Sequence, residues 1–208
     1  GADESLGGYR RYQMELFRGF LRPPLAGALR AACRRLPVRN AVLLRALDAA
    51  GEPDDVARFD QVYSVFSRDQ IRRLIGYEDT GSAERIRYNF ELLGCGRQPH
   101  SVERMMSLDL RMNLADDLLL YTDKITMSHS LECRVPLLDL ELVRYIESLP
   151  YQYRVTWLHG KVIHKRFARS ILPPAIAARR KKGFLSPARK WFQTGGAVRE
   201  LLLDPNSR

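Results

Sequence analysis

No apolar run in the sequence is long enough to cross a bilayer, which excludes a membrane-spanning helix. The basic-then-apolar pattern of a secretory leader is also missing. Three cysteines, Cys33, Cys95 and Cys133, stand far apart with no C-x-x-C pair, so neither a zinc site nor a disulfide framework is expected. They suit buried thiols in a reducing cytoplasm. Internal repeats and low-complexity stretches are absent. Extended segments are scarce: only "LECRVPL" (131–137) and "YQYRVTWL" (151–158) have a brief strand-like texture.

What is present is helical pattern. The 208 residues, 45% hydrophobic and 28% charged, have the composition of a globular protein with a sizeable core. "RRYQMELFRGFL" and "LAGALRAACRRL" are separated by Pro23-Pro24, which ends one helix and begins the next. "RNAVLLRALDAAG" stops at Gly51. "PDDVARFDQVYSVF" carries proline and acids at its start, and Ser67 with Gln70 has capping-box spacing. A longer pattern runs from "SVERMM" to "MSHSL" and is apolar on more than one side, as in a helix central to its bundle. "LDLELVRYIESL", "GKVIHKRFARSIL" and "AVRELLLD" complete the series. "GYEDTGSAE" (76–84) and "GCGRQPHS" (94–101) read as surface loops. The fold expectation is mainly α.

Charge is unevenly spread. Residues 151–208 hold 13 Lys/Arg and two acids, against 21 and 22 upstream, so the whole excess of +10 lies in the last quarter. Such a concentration favours a polyanion, whether nucleic acid, a membrane surface or a nucleotide phosphate.

Four segments carry residue types that a helical core does not require. In "GADESLGGYR", Asp3 and Glu4 offer hard oxygen ligands and Gly7-Gly8 permits close backbone approach. In residues 113–139, Asp116, Asp117, Asp123, Glu132, Asp139, Lys124, His129 and Arg134 stand among apolar neighbours. They must pair or face a cleft, because an unpaired buried charge is costly. Asp116 and Asp123 fall on roughly one helix face, and Glu132 with Arg134 reads as a bracing ion pair. In "LHGKVIHKRF", Lys161 and Lys165 are one helical turn apart and can address one anion. In "ARRKKGFLSPARKW", four consecutive bases run into Gly183-Phe184, either a phosphate loop or a nucleic-acid patch.

Taken in order, the four segments resemble one family, the glutamine-dependent asparagine synthetases. "GADESLGGY" is similar to its "GADELFGGY", and "DDLLLYTDKITMSHSLECRVPLLD" to its "DDLLxxxDRxSMAxSLExRVPFLD". "GKVIHKRFARSILP" and "RRKKGFLSP" match "GKxxLRxAxxxxLP" and "RxKKGFxxP". The resemblance runs from residue 1 to about residue 193 and is weakest over 15–100.

The resemblance implies the helical C-terminal part of an α/β adenine nucleotide alpha-hydrolase-like synthetase domain. The glutaminase domain and the ATP-binding "SGGxDS" loop would lie upstream of this chain, which alone would be inactive. The implied reaction activates a carboxylate, the β-carboxylate of aspartate being the one the resemblance favours, as an acyl-adenylate with release of pyrophosphate. Ammonia from glutamine then forms the amide. ATP and Mg²⁺ are the implied cofactors.

On the same basis Asp3 is the metal ligand, and Lys181 and Asp117 are catalytic. Glu4, Lys161, Lys181, Lys182 and Gly183 would contact the nucleotide. The implied partners are the small-molecule substrates and the protein's own glutaminase domain; a homodimer is compatible with the resemblance, and neither membrane nor nucleic acid is expected. The implied location is cytoplasmic. The same resemblance admits related amidotransferases and cyclases acting on other carboxylates. A non-catalytic helical module for assembly or nucleic-acid binding is the alternative from another class.

Overall fold

The computed structural model describes residues 1–18, 25, 27–29, 31–32, 47, 49–66, 68–77, 81–179, 188–193 and 196–204. Lys181, Lys182 and Gly183 lie outside the described residues, as do Cys33, Pro23-Pro24 and the Ser67 cap. The chain divides into two compact units, Gly1–Ser170 and Ile171–Arg208.

The first unit opens with a single helical turn, α1 (Ala2–Ser5), and then α2 (Arg10–Arg18). α3 (Asp55–Tyr63) starts where Asp54 accepts the Ala57 N–H at 2.8 Å, so the acid-rich start acts as a side-chain cap. α4 (Arg68–Ile75) and α5 (Gly81–Leu92) follow. α5 takes in the last four residues of the loop expected over 76–84, because Glu84 near its start and the Ile86 side chain give it an acidic first turn and a core anchor.

The expected long helix is continuous from Ser101 to Met127 but is not uniform. α6 (Ser101–Leu108) passes into a π-helical segment (Asp109–Leu119) and then α7 (Leu120–Met127). The i→i+5 pattern of the middle segment suits its Arg111–Asp116 ion pair, five residues apart at 3.4 Å.

Residues 131–135 lack regular structure and enter a 3₁₀ turn at Pro136–Leu138. α8 (Leu140–Ser148) is capped by Asp139, whose carboxylate accepts the Glu141 and Leu142 N–H groups at 3.1 Å. The expected extended stretch at 151–158 is instead a helical turn, α9 (Tyr151–Arg154), followed by one antiparallel bridge between Val155 and Gly160. Pro150 just before it allows the turn to start without losing a hydrogen bond. α10 (Val162–Ile171) runs toward the unit boundary. The second unit contains α11 (Pro174–Ala177), α12 (Ala188–Trp191) and α13 (Ala197–Leu203).

The core is built from Tyr12 of α2, Phe59 of α3, Ile86 of α5, Met105, Met106 and Leu108 of α6, and Val155. Cys95 is buried beside it, as expected, and burial pushes its thiol up to about 11. Cys133 departs from the expectation of buried thiols, since it lies in the irregular stretch after α7 and is exposed.

A charge network ties the elements together at the edge of this core. Arg58, itself buried, forks onto Glu15 of α2 at 2.9 and 3.1 Å and also pairs with Asp55. Asp55 in turn accepts Arg104 of α6 at 2.6 Å. Burial alone would raise the Asp55 carboxyl, but its two arginines outweigh that and hold it below the usual range.

Candidate active site

The opening turn and the start of α10 are more than 150 residues apart in sequence and meet in space. α1 ends with Gly7 in the left-handed region (φ 74°) and the Gly8 N–H bonded back to the Asp3 carbonyl at 2.7 Å, the Schellman ending of a helix. The Lys161 N–H then donates to the Leu6 carbonyl at 3.1 Å, locking the second segment onto this turn. Glycine permits the approach. A Cβ on Gly8 would sit 1.9 Å from Asp3 Oδ1 and 2.5 Å from Lys161 Cε, and one on Gly160 would sit 2.3 Å from the Gly7 carbonyl oxygen.

The result is an ion pair: Lys161 Nζ lies 2.9 Å from Asp3 Oδ1, with both side chains about a quarter exposed. Lys161 holds a left-handed backbone (φ 55°), a conformation that a residue with a Cβ adopts at some cost. It also starts α10, its carbonyl accepting the Lys165 N–H at 2.8 Å. Lys165, one turn on, is exposed, and burial together with the Lys161 charge holds His164 below its ordinary value and therefore neutral at pH 7.

Glu4 occupies a different place from Asp3. It is 1% exposed and accepts the Tyr9 hydroxyl, with Asn113 Nδ2 at 3.5 Å from Glu4 and 3.3 Å from the Tyr9 oxygen. Burial and the Glu4 carboxylate hold the Tyr9 hydroxyl well above its usual value, so it remains a donor. The Arg11 guanidinium lies over the Tyr9 ring at 4.1 Å and forks onto Asp109 at 2.7 and 2.9 Å. Asp109 is fully buried. Burial pushes its carboxyl up, opposed by Arg11 and by the hydroxyls of Tyr12 and Tyr63. A continuous chain of polar contacts therefore runs from the opening turn to the π-helical segment.

Asp109, Asn113 and Asp117 recur every four residues and line one cavity of about 340 Å³ with Asp60, Tyr63 and Arg85. Asp117 thus shares a cavity with Asn113, the residue that touches Glu4 and Tyr9. Asp116 is taken up by Arg111, and Asp123 is exposed on α7. Glu132 and Arg134 do pair, at 2.6 Å, but on the surface, with side chains 68% and 84% exposed.

Asn113, Arg11 and Asp109 carried no signal in the sequence as members of this cluster. Their partners lie about a hundred residues away, beyond any local spacing rule.

A helical domain that brings an acidic glycine turn onto a lysine at a helix start has the groundwork of an anion- and cation-handling site. Comparison with known proteins gives the class a family. The asparagine synthase family model matches residues 1–207, and the chain belongs to that family. It is similar to putative glutamine-hydrolyzing asparagine synthetases of Mycobacterium bovis and Mycobacterium tuberculosis, 32% identical over 201 residues. That match covers 94% of this chain and 30% of those proteins, so the chain spans under a third of their length. It is also similar to glutamine-hydrolyzing asparagine synthetase 1 of Bacillus subtilis, 32% identical over 92 residues, or 44% of this chain and 15% of that protein. No solved structure matches the chain significantly. Among the described residues, no helix is long and apolar enough to cross a membrane.

Proposed function

We propose that this chain is the helical part of an adenine nucleotide alpha-hydrolase-like synthetase domain in an ATP-dependent, amide-forming ligase. The observation that carries the reading is the Asp3–Lys161 contact, which joins two of the family-like motifs into one charged site. A substrate carboxylate, that of aspartate on this reading, attacks the α-phosphorus of ATP and pyrophosphate departs. Ammonia then attacks the acyl carbon, AMP leaves, and the amide of asparagine forms. The ammonia is drawn from glutamine by a glutaminase domain of the same protein, and the reaction belongs to the cytoplasm.

The donor set suits a magnesium ion bound chiefly through phosphates. Among the described residues no group of three or more His, Cys, Asp or Glu could enclose a metal, whereas a phosphate-bound Mg²⁺, which takes only one or two carboxylates from protein, is served by a single one here. Asp3 supplies it, and the ion would neutralise phosphate oxygens as charge develops. Lys161 holds Asp3 and, once released, can turn its ammonium to a phosphate oxygen. Glu4 is committed to Tyr9 and Asn113, so it fixes the turn that carries Asp3. Asp117, which lines the neighbouring cavity, is assigned to the amine of the carboxylate substrate. Lys181, with Lys182 and Gly183 beside it, is assigned to the α-phosphate and the leaving pyrophosphate.

The test is made in the full-length protein. Lys161→Ala and Asp3→Asn should each lower ATP-dependent pyrophosphate release by about a hundredfold or more, the loss of one well-placed electrostatic group, and leave glutamine hydrolysis intact. Lys181→Ala should behave in the same way. Unchanged pyrophosphate release in the Asp3 and Lys161 variants would overturn the assignment. The 208-residue chain alone should form no asparagine from ATP, aspartate and ammonia.

A further inference from the structure

A second cavity, of about 620 Å³, lies against the other residues of the π-helical segment, and the reaction proposed above does not use it. Leu110, Arg111 and Ala115 form one wall, Gln98 and Glu103 another, and Glu147 and Arg154 a third. Its size is that of a small-molecule site.

Two features of its lining bear on what it could hold. Arg154 is only 4% exposed, and among the described residues its one carboxylate hydrogen bond is to Glu103 at 3.3 Å. Its Nε is buried without a hydrogen-bond partner among the described residues. Gln98 donates its amide N–H to Ser107 at 2.8 Å, yet its Oε1 is likewise buried without a donor. One lining residue therefore needs an acceptor and another needs a donor. Burying such groups without a partner is costly. Burial also holds the Arg154 guanidinium below its usual value despite Glu103 and the nearby Glu147 charge, the sign of a cation that lacks full compensation.

The charges of the lining balance, with two guanidinium groups, Arg111 and Arg154, against two carboxylates, Glu103 and Glu147. A nucleotide triphosphate would set several negative charges against those carboxylates, and a simple amine would meet the two arginines. A molecule with one carboxylate and one ammonium satisfies both needs, and Met106, Leu110 and Leu93 supply an apolar floor for a side chain. From this we propose that the cavity binds a free amino acid zwitterion, its carboxylate on the Arg154 side and its ammonium toward Glu147 and Gln98. The inference does not rest on the proposed ligase activity.

The experiment is isothermal titration calorimetry on the full-length protein with L-leucine and L-methionine, neither of which the proposed reaction consumes. 4-Methylpentanoate and isoamylamine serve as the matched monoanion and monocation of leucine. At least one of the two amino acids should bind with a Kd of about 1 mM or tighter, and the two matched ions about tenfold more weakly or worse. Glu147→Gln and Gln98→Leu should each weaken binding by about tenfold, while Lys161→Ala leaves it unchanged. Glu147 is exposed, so its variant should fold and can decide the matter even if the Gln98 variant does not. No binding of either amino acid at about 10 mM would overturn the proposal, as would binding indifferent to Glu147→Gln. Leucine binding with no pyrophosphate release would sink the ligase reading and leave this one standing; the converse result would do the reverse.

Discussion

The two ends of the long central helix are equally apolar in sequence and have opposite fates. In α6, Val102, Met105, Met106 and Leu108 are all but inaccessible. In α7 no residue is buried, and Leu120, Tyr121, Ile125 and Met127 are about half exposed. α2, α3, α5 and Val155 converge on α6 and supply the atoms that replace water. No described element does the same for α7. An apolar stripe is thus a capacity for burial, and a neighbouring surface has to realise it.

The sharpest way to break the buried side of this contrast is through its charges. Arg58→Ala would leave Glu15 and Asp55 without their buried partner, and the expected loss is about 3–5 kcal/mol in urea unfolding of the chain. A loss under about 1 kcal/mol would mean that the network is dispensable.

Next comes the direct comparison of the two helix ends. Met105→Ala should cost about 2–5 kcal/mol through the cavity it leaves, whereas Leu120→Ala should stay within about 0.5 kcal/mol. Equal losses in the 208-residue chain would erase the distinction between α6 and α7.

A smaller effect appears in acid. Because Asp55 is held below the usual carboxylate range, its contribution is complete above the unfolded value of about 4 and disappears as pH falls through the folded value. Wild-type stability should therefore fall more steeply below about pH 4 than that of Asp55→Asn, followed by urea midpoints across pH. Smallest of all is Glu132→Gln, which should change stability by no more than a few tenths of a kcal/mol, since its ion pair with Arg134 is almost fully solvated.

Much of the architecture was legible locally. The acid-capped start of α3 follows from the proline and acids at the head of its segment, whereas Asp139, expected to pair or face a cleft, is instead the cap of α8. The start of α5 was hidden because turn-like residues, Asp79, Thr80 and its own first residue Gly81, stand there in the sequence. The turn at 151–154 was hidden because Tyr151, Tyr153 and Val155 suggest a strand, while Pro150 favours a helical entry.

The site was legible in its motifs but not in its wiring. Asp3 and Lys161 were each singled out, yet nothing in the spacing of either said that they touch. Glu4 sits next to Asp3 in sequence and shares its chemistry, but one residue of rotation in a helical turn carries it into the interior beside Tyr9.

By itself the sequence determined the helical class, several of the places where helices begin and end, the concentration of positive charge in the last quarter, and the motifs of the asparagine synthase family. These depend on residues within a turn or two of one another, or on composition. Only the tertiary structure decided which apolar face is buried, which of two adjacent acids faces the lysine, and which long-range pairs, such as Arg11 with Asp109, hold α2 to the central helix. Burial and pairing between distant segments depend on which surfaces meet once the chain is closed, and no local pattern encodes that meeting.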